Sequence, residues 1–216
     1  MIDLHTHSLF SDGALLPSEL IRRAYISGYK AMAITDHVDS SNIDFVVPRI
    51  VEAVLAVSEY TEMKIIPGAE ITHVPPKLIE KLVVRSRNLG AQIVVVHGET
   101  VVEPVAPGTN RAAIEAGADI LSHPGLISKE DAAKAVKNNV ALEITSRKGH
   151  CLSNGYVAKI ASETGAILII NTDAHDPEDL ISRYRAKIVL RGAGIAENEL
   201  EQIFANSQKI VDKIFS

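Results

Sequence analysis

The chain is poor in several features that mark common protein classes. Its 216 residues include a single cysteine, Cys151, so no intrachain disulfide can form and a disulfide-stapled secreted scaffold is excluded. Tryptophan is absent and aromatics make up 4%, which leaves little stacking surface for single-stranded nucleic acid. No long run of Lys or Arg is present and the formal net charge is -5. A long nucleic acid is therefore not an expected partner, although a local basic cluster suffices for one phosphate. No apolar run approaches the roughly 18 residues of a membrane span, and the opening MIDLHTH has neither a basic segment nor an apolar leader. The expectation is a cytoplasmic protein without a membrane partner. P-loop and GxGxxG patterns are missing, which removes the usual signatures of nucleotide-driven chemistry. Linkers and low-complexity stretches are missing too, so residues 1–216 are read as one domain.

What the chain does have is a core. Hydrophobic residues make up 46%, mostly Ile, Val, Leu and Ala, in short β-rich runs that alternate with segments of helical period. The spacing predicts strands at 2–5, 31–35, 64–69, 92–97, 119–122, 141–144 and 166–171, seven in all. Helices are predicted between them, at 17–27, 48–62, 76–89, 110–116, 128–138 and 155–164, and the tail 197–216 reads as one or two amphipathic helices packed on the outside. Gly28, Gly90, Gly117 and Gly165 fall where helices should end, Pro17, Pro48 and Pro76 near helix starts, and Ser128 with Asp131 forms a capping-box pattern. Runs such as IVVV and AILII are apolar at consecutive positions, which fits parallel strands buried on both faces. Repeated βα units of this kind close most naturally into an α/β barrel, with the chemistry on loops at the carboxyl ends of the strands.

Six of the eight histidines lie at those ends: His5 and His7 in IDLHTH, His37 in AITDH, His97 in IVVVHG, His123 in ILSHP and His175 in IINTDAH. Glu70 closes KIIPGAE, Asp12 stands in the SDG turn and Asp173 precedes His175 by two. His-x-His on a strand sends both imidazoles to one face, and imidazoles mixed with carboxylates suit a polynuclear transition-metal site. Glu70, with two oxygens, can bridge two ions.

In order, HTH, SDG, TDH, GAE, VVVHG, SHPG and NTDAH resemble the PHP family, the polymerase and histidinol phosphatase metal-dependent phosphoesterases, over residues 2 to about 175. The resemblance implies a distorted seven-stranded (β/α) barrel, TIM-barrel-like, carrying up to three ions. Position by position it places His5, His7, Glu70 and Asp173 on a first ion, Glu70, His97 and His123 on a second, and Asp12, His37 and His175 on a third. Some family members have His where this chain has Asp12; with a carboxylate there, zinc, manganese and iron all fit.

Arg147, Lys148 and His150, on the loop after the sixth strand, offer cations to a phosphate. Asp36 either orients an imidazole or is structural; Glu143 and His73 are read as supporting groups rather than ligands, and Cys151 as an ordinary loop residue. The candidate catalytic residues are Glu70, Asp173, Arg147 and Lys148. The expected activity is hydrolysis of a small phosphate monoester, such as histidinol phosphate or a nucleotide, by hydroxide that two or three divalent ions generate from water. The rivals are a phosphodiesterase or exonuclease on short nucleotides, an amidohydrolase, and a non-catalytic metal-stabilised or regulatory module. The sequence leaves substrate, native metal and oligomeric state open.

Overall fold

The computed structural model describes residues 1–216. Its strands are β1 (Ile2–Asp3), β2 (Ala31–Ile34), β3 (His37–Val38), β4 (Lys64–Ile71), β5 (Ile93–His97), β6 (Ile120–Ser122), β7 (Ala141–Thr145) and β8 (Leu168–Asn171). All pair in parallel in the order β1-β2-β4-β5-β6-β7-β8, and β3 extends the line of β2 along β4 through the His37–Glu70 pair. Seven strands thus form the wall of a nearly closed α/β barrel. Between β1 and β8 the ring is drawn together at its carboxyl end by the Thr6–Ala174 bridge, with Asp173 N donating to His5 O at 3.0 Å and His7 N to Ala174 O at 2.8 Å.

The helices are α1 (Pro17–Ile26), α2 (Ile43–Ser58), α3 (Pro76–Asn88), α4 (Thr109–Glu115), α5 (Lys129–Asn138), α6 (Asn154–Thr164), α7 (Arg183–Gly192) and α8 (Leu200–Ile214). Pro17 and Pro76 open their helices, where a missing N–H costs nothing. Ser128 caps α5 by accepting from Asp131 N at 3.0 Å, and its hydroxyl donates to the Asp131 side chain. Gly165 ends α6 at φ +77°, a conformation that favours glycine.

Two helices depart from the predicted pattern. The second begins at Ile43 rather than at residue 48, because Ile43, Val46, Val47, Ile50 and Val54 form one buried stripe that runs past Pro48. Pro48 forfeits only the ladder bond to Asp44. Helix α7 escapes a periodicity search because it buries only Ala186 and Leu190; its start is fixed by Ser182, which accepts from Arg185 N.

Strand alternation sorts the buried side chains into two regions. One set points outward into the layer between strands and helices, where Met32, Ile34, Val94, Val96, Leu121, Leu142 and Ile170 join Leu20, Ile50, Ile79, Leu82 and Leu190. The other fills the barrel interior with Leu4, Ala33, Ile66, Ile93, Val95, Ile120, Ala141 and Ile169. Val211 of α8 belongs to this interior cluster, with Ile210 and Ile214 packed against it. The tail helix therefore plugs the amino end of the barrel, a more specific role than the outer packing expected of it. No helix is long and apolar enough to cross a membrane.

Moving two residues along each strand from the apolar layer changes its chemistry. Val95 gives way to His97, Ile120 to Ser122, Ala141 to Glu143, Ile169 to Asn171, and Ile66, past Gly68, to Glu70, all buried. The barrel is thus apolar at its floor and polar at its mouth.

Candidate metal centre

Strand β1 stops pairing regularly at Asp3. The Asp3 carboxylate accepts from His5 N, Thr172 N and the Thr172 hydroxyl, replacing ladder bonds, so that Leu4 and His5 both turn inward. His5 and His7 are fully buried, with ring centroids 5.0 Å apart. Glu143 Oε2 lies 2.9 Å from His5 Nδ1 and accepts from Asn171 Nδ2 at 2.8 Å, so it orients the His5 ring and leaves Nε2 facing Glu70 Oε1 at 3.2 Å and Asp173 Oδ1 at 3.6 Å. His7 Nε2 lies 3.1 Å from Asp173 Oδ1.

Glu70 stands in the middle. Its Oε1 accepts from Ser122 Oγ at 2.8 Å and faces His5, and its Oε2 lies 2.7 Å from His37 Nδ1. Burial pushes the Glu70 carboxyl up, but the adjacent His5 and His37 imidazoles outweigh it and hold the group well below the usual range. Burial likewise pulls His5 down, against which Glu70 and Glu143 raise it well above its ordinary value. His7 has burial and the neighbouring His37 working together and falls to about 4. His123 is lowered in the same way, by burial and by His97.

The SDG turn brings Asp12 to the cavity edge, where Oδ1 lies 3.4 Å from His37 Nε2 and 3.2 Å from His175 Nε2. Asp36 supports this turn by accepting from Ser8 and Ser11, through backbone N–H and hydroxyl of each, at 2.7 to 3.0 Å. Its role is therefore to shape the loop that carries Asp12, not to orient an imidazole. Gly13 packs so closely on the His7 backbone that a Cβ there would collide with the His7 carbonyl.

Ligand-type atoms gather in overlapping groups, each within 4.8 Å: His5, His7 and Asp173; His7, Asp12, His37 and His175; His97, His123 and His150; His73, His97 and Glu103. All nine residues expected as ligands, namely His5, His7, Asp12, His37, Glu70, His97, His123, Asp173 and His175, surround one site. Within it His5 Nε2, His7 Nε2 and Asp173 Oδ1 are buried without a hydrogen-bond partner. Each such orphan costs roughly 1–3 kcal/mol, and three converging on one point fit a shared cation that accepts imidazole and carboxylate ligands. His73, His123 and Asp173 also hold positive φ values of 52°, 26° and 55°, backbone strain gathered where the side chains converge.

The mouth holds a cavity of about 250 Å³ lined by Asp12, His37, Thr72, His73, His97, Glu103, Arg147, His150, Asp173 and His175, with no hydrophobic residue. Arg147 is held there by Asp179, whose Oδ2 lies 2.9 Å from its Nη1 and also accepts from His175 N. Lys148, expected beside it, is exposed and outside the lining. The chain turns at Gly149, φ +89°, which sends Lys148 out and His150 in. His150 stacks on His123, centroids 4.2 Å apart and planes 18° from parallel, so it is part of the imidazole cluster instead of a free cation. Burial lowers its pKa. Glu103 was not legible in the sequence. It lies six residues past the end of β5, too far along the loop for strand alternation to aim it, yet its carboxylate meets His73, His97 and His150.

Residues 3–195 match the PHP domain family. An uncharacterized protein of Methanocaldococcus jannaschii is 49% identical over 96% of both chains. The DNA polymerase/3'-5' exonuclease PolX of Bacillus subtilis is 29% identical over 82% of this chain, which spans only 35% of that protein. A protein named "Probable phosphatase" in Shewanella pealeana is 30% identical over 81% of this chain and 77% of its own length. Among solved structures, a chain of an archaeal ribonuclease P complex with mature tRNA superposes with a TM-score of 0.76 at 21% identity, covering 99% of this chain and 91% of that one. A histidinol phosphate phosphatase from Lactococcus lactis, complexed with zinc, L-histidinol and phosphate, gives 0.59 at 16% identity over 90% and 94%.

Proposed function

Because the chain belongs to the PHP domain family, we propose that it is a metal-dependent phosphoesterase acting on a small phosphate monoester. The carrying observation is the mouth cavity: about 250 Å³, lined entirely by imidazoles, carboxylates, Thr72 and Arg147. Such a space suits a phosphoryl group with its ester oxygen, and its lack of apolar lining disfavours a large hydrophobic leaving group. The relative named as a phosphatase supports hydrolysis, and the phosphatase neighbour, with its zinc and phosphate, supports the pairing of metals with a phosphate ester.

His5, His7 and Asp173 would hold one ion, His97 and His123 a second, and Asp12, His37 and His175 a third, with Glu70 between them. Zinc, manganese and iron all suit these ligands. Bound ions supply a nucleophile from water at neutral pH and polarise the phosphoryl oxygens. The chain's own residues set the geometry. Glu143 fixes the His5 ring, Asp36 fixes the turn carrying Asp12, and Asp179 fixes both Arg147 and the His175 backbone. Arg147 offers its remaining N–H groups to non-bridging phosphoryl oxygens.

The same chemistry can cleave a diester, and the PolX relative makes a short-nucleotide substrate the second reading. A side-by-side assay of phosphomonoesters, dinucleotides and amides with manganese, zinc and iron separates them. Monoester kcat/KM at least tenfold above diester supports the proposal; faster diester cleavage replaces it with the second reading, and turnover of amides alone removes both.

A further inference from the structure

Outside the ligand set that the family resemblance supplies, the loops after β5 and β7 bring a second tier of ligand-type groups to the same cavity. We propose that the ion held by His97 and His123 takes two further ligands from these loops, the Glu103 carboxylate and His150 Nε2, with His73 and Thr100 orienting them. The inference rests on the reading of the mouth as a metal centre.

The tautomers point this way. His97 Nδ1 lies 3.2 Å from the Gly98 carbonyl, so it carries the proton and leaves Nε2 free; that nitrogen faces Glu103 Oε2 at 3.1 Å. His150 Nδ1 is engaged by Thr100 Oγ1 at 2.7 Å, which leaves its Nε2 facing Glu103 Oε1 at 3.4 Å. One imidazole nitrogen lies 3.1 Å from Glu103 Oε2 and the other 3.4 Å from Oε1, each near the roughly 3.3 Å between neighbouring ligand atoms bonded at about 2.0–2.1 Å and tetrahedral angles. His73 Nε2 lies 2.9 Å from Glu103 Oε2 and supplies the outer hydrogen bond that ligating carboxylates commonly have. Its backbone is held at φ 52° to reach there.

The surroundings agree. Residues 101–104 are exposed along the loop, yet Glu103 turns into the cavity. A Cβ on Gly149 would sit 3.5 Å from Val102, so the two loops touch next to the groups in question. Ligation by both loops would enclose a site at His97 and His123 and tie the two loops together, while the groups around exposed Asp12 would stay open to substrate.

Calorimetric titration of the metal-depleted full chain with Mn2+ and Zn2+, together with the visible spectrum of the Co2+ form, tests this in wild type, Glu103→Gln and His150→Gln. Each variant should lose more than about 100-fold affinity at one ion only, beyond the 10- to 100-fold of an outer hydrogen-bond partner, with the remaining ions bound as in wild type and a changed Co2+ spectrum. Glu103→Asp should recover part of the loss. Unchanged affinity in both variants overturns the inference while leaving the phosphoesterase reading intact, and equal weakening of every ion overturns it as well. Failure of the wild type to bind metal removes both.

Discussion

Replacing Glu70 by Gln keeps the side chain's shape and removes the charge on which the centre converges. Its oxygens face His5 Nε2 at 3.2 Å and His7 Nε2 at 3.7 Å, among the groups of the first ion, and His123 Nε2 at 3.9 Å, of the second, so one substitution reaches two positions. Loss of an outer hydrogen-bond partner already lowers metal affinity 10- to 100-fold, so losing a bridging carboxylate should cost each of two ions more than about 100-fold, or roughly 2.7 kcal/mol. Glu143→Gln provides the scale: Glu143 touches only His5 Nδ1 and Asn171, so it should weaken one ion by about 10- to 100-fold. Elemental analysis after gel filtration, with titration calorimetry on metal-depleted protein, measures both. Glu70→Gln should retain less than about one ion per chain, and Glu143→Gln more. If Glu70→Gln kept its full complement with affinities within about threefold of wild type, the bridging role would be wrong.

Arg147→Ala should lower kcat/KM roughly tenfold or more with metal content unchanged, as expected for one lost charge-assisted contact; Lys148→Ala, outside the cavity, should stay within about threefold, and the reverse ranking refutes the placement. Burial raises Asp3 to about 7 from 3.8. Between these values the folded chain binds more protons than the unfolded one, so Asp3 lowers stability progressively as pH rises through that window. In metal-free protein Asp3→Asn should therefore gain stability relative to wild type from about pH 4 to pH 7, on the order of 4 kcal/mol at most, and then level off; urea unfolding at several pH values measures it, and a constant difference refutes it. Val211→Ala, at the plugged floor of the barrel, should cost about 2 kcal/mol and lower Tm by roughly 4–8 °C, and no change would place α8 outside the core.

Much of this was legible in the sequence because the strand period and the chemistry share a register. Alternation along IVVVH and ALEIT sends Val95 and Ala141 into the apolar floor and His97 and Glu143 into the polar mouth, so ligands at strand ends are readable from spacing. Helix α7 was hidden because two buried residues make no stripe. Lys148 departs from its expected place because a single turn at Gly149 decides which side chain enters, and loop dihedrals leave no periodic trace. Glu103 is hidden for the same reason: its approach to His97 depends on how residues 98–108 fold back, with Glu99 tying Gly108 N and Asn110 N.

The most direct test of the central claim is phosphate release from a panel of small monoesters by one preparation, measured before chelation, after it and after metal is restored. The account predicts turnover that disappears with the metal and returns with manganese, zinc or iron. Turnover unchanged by complete removal of metal, or no phosphate release from any ester by fully metal-loaded protein, would contradict it.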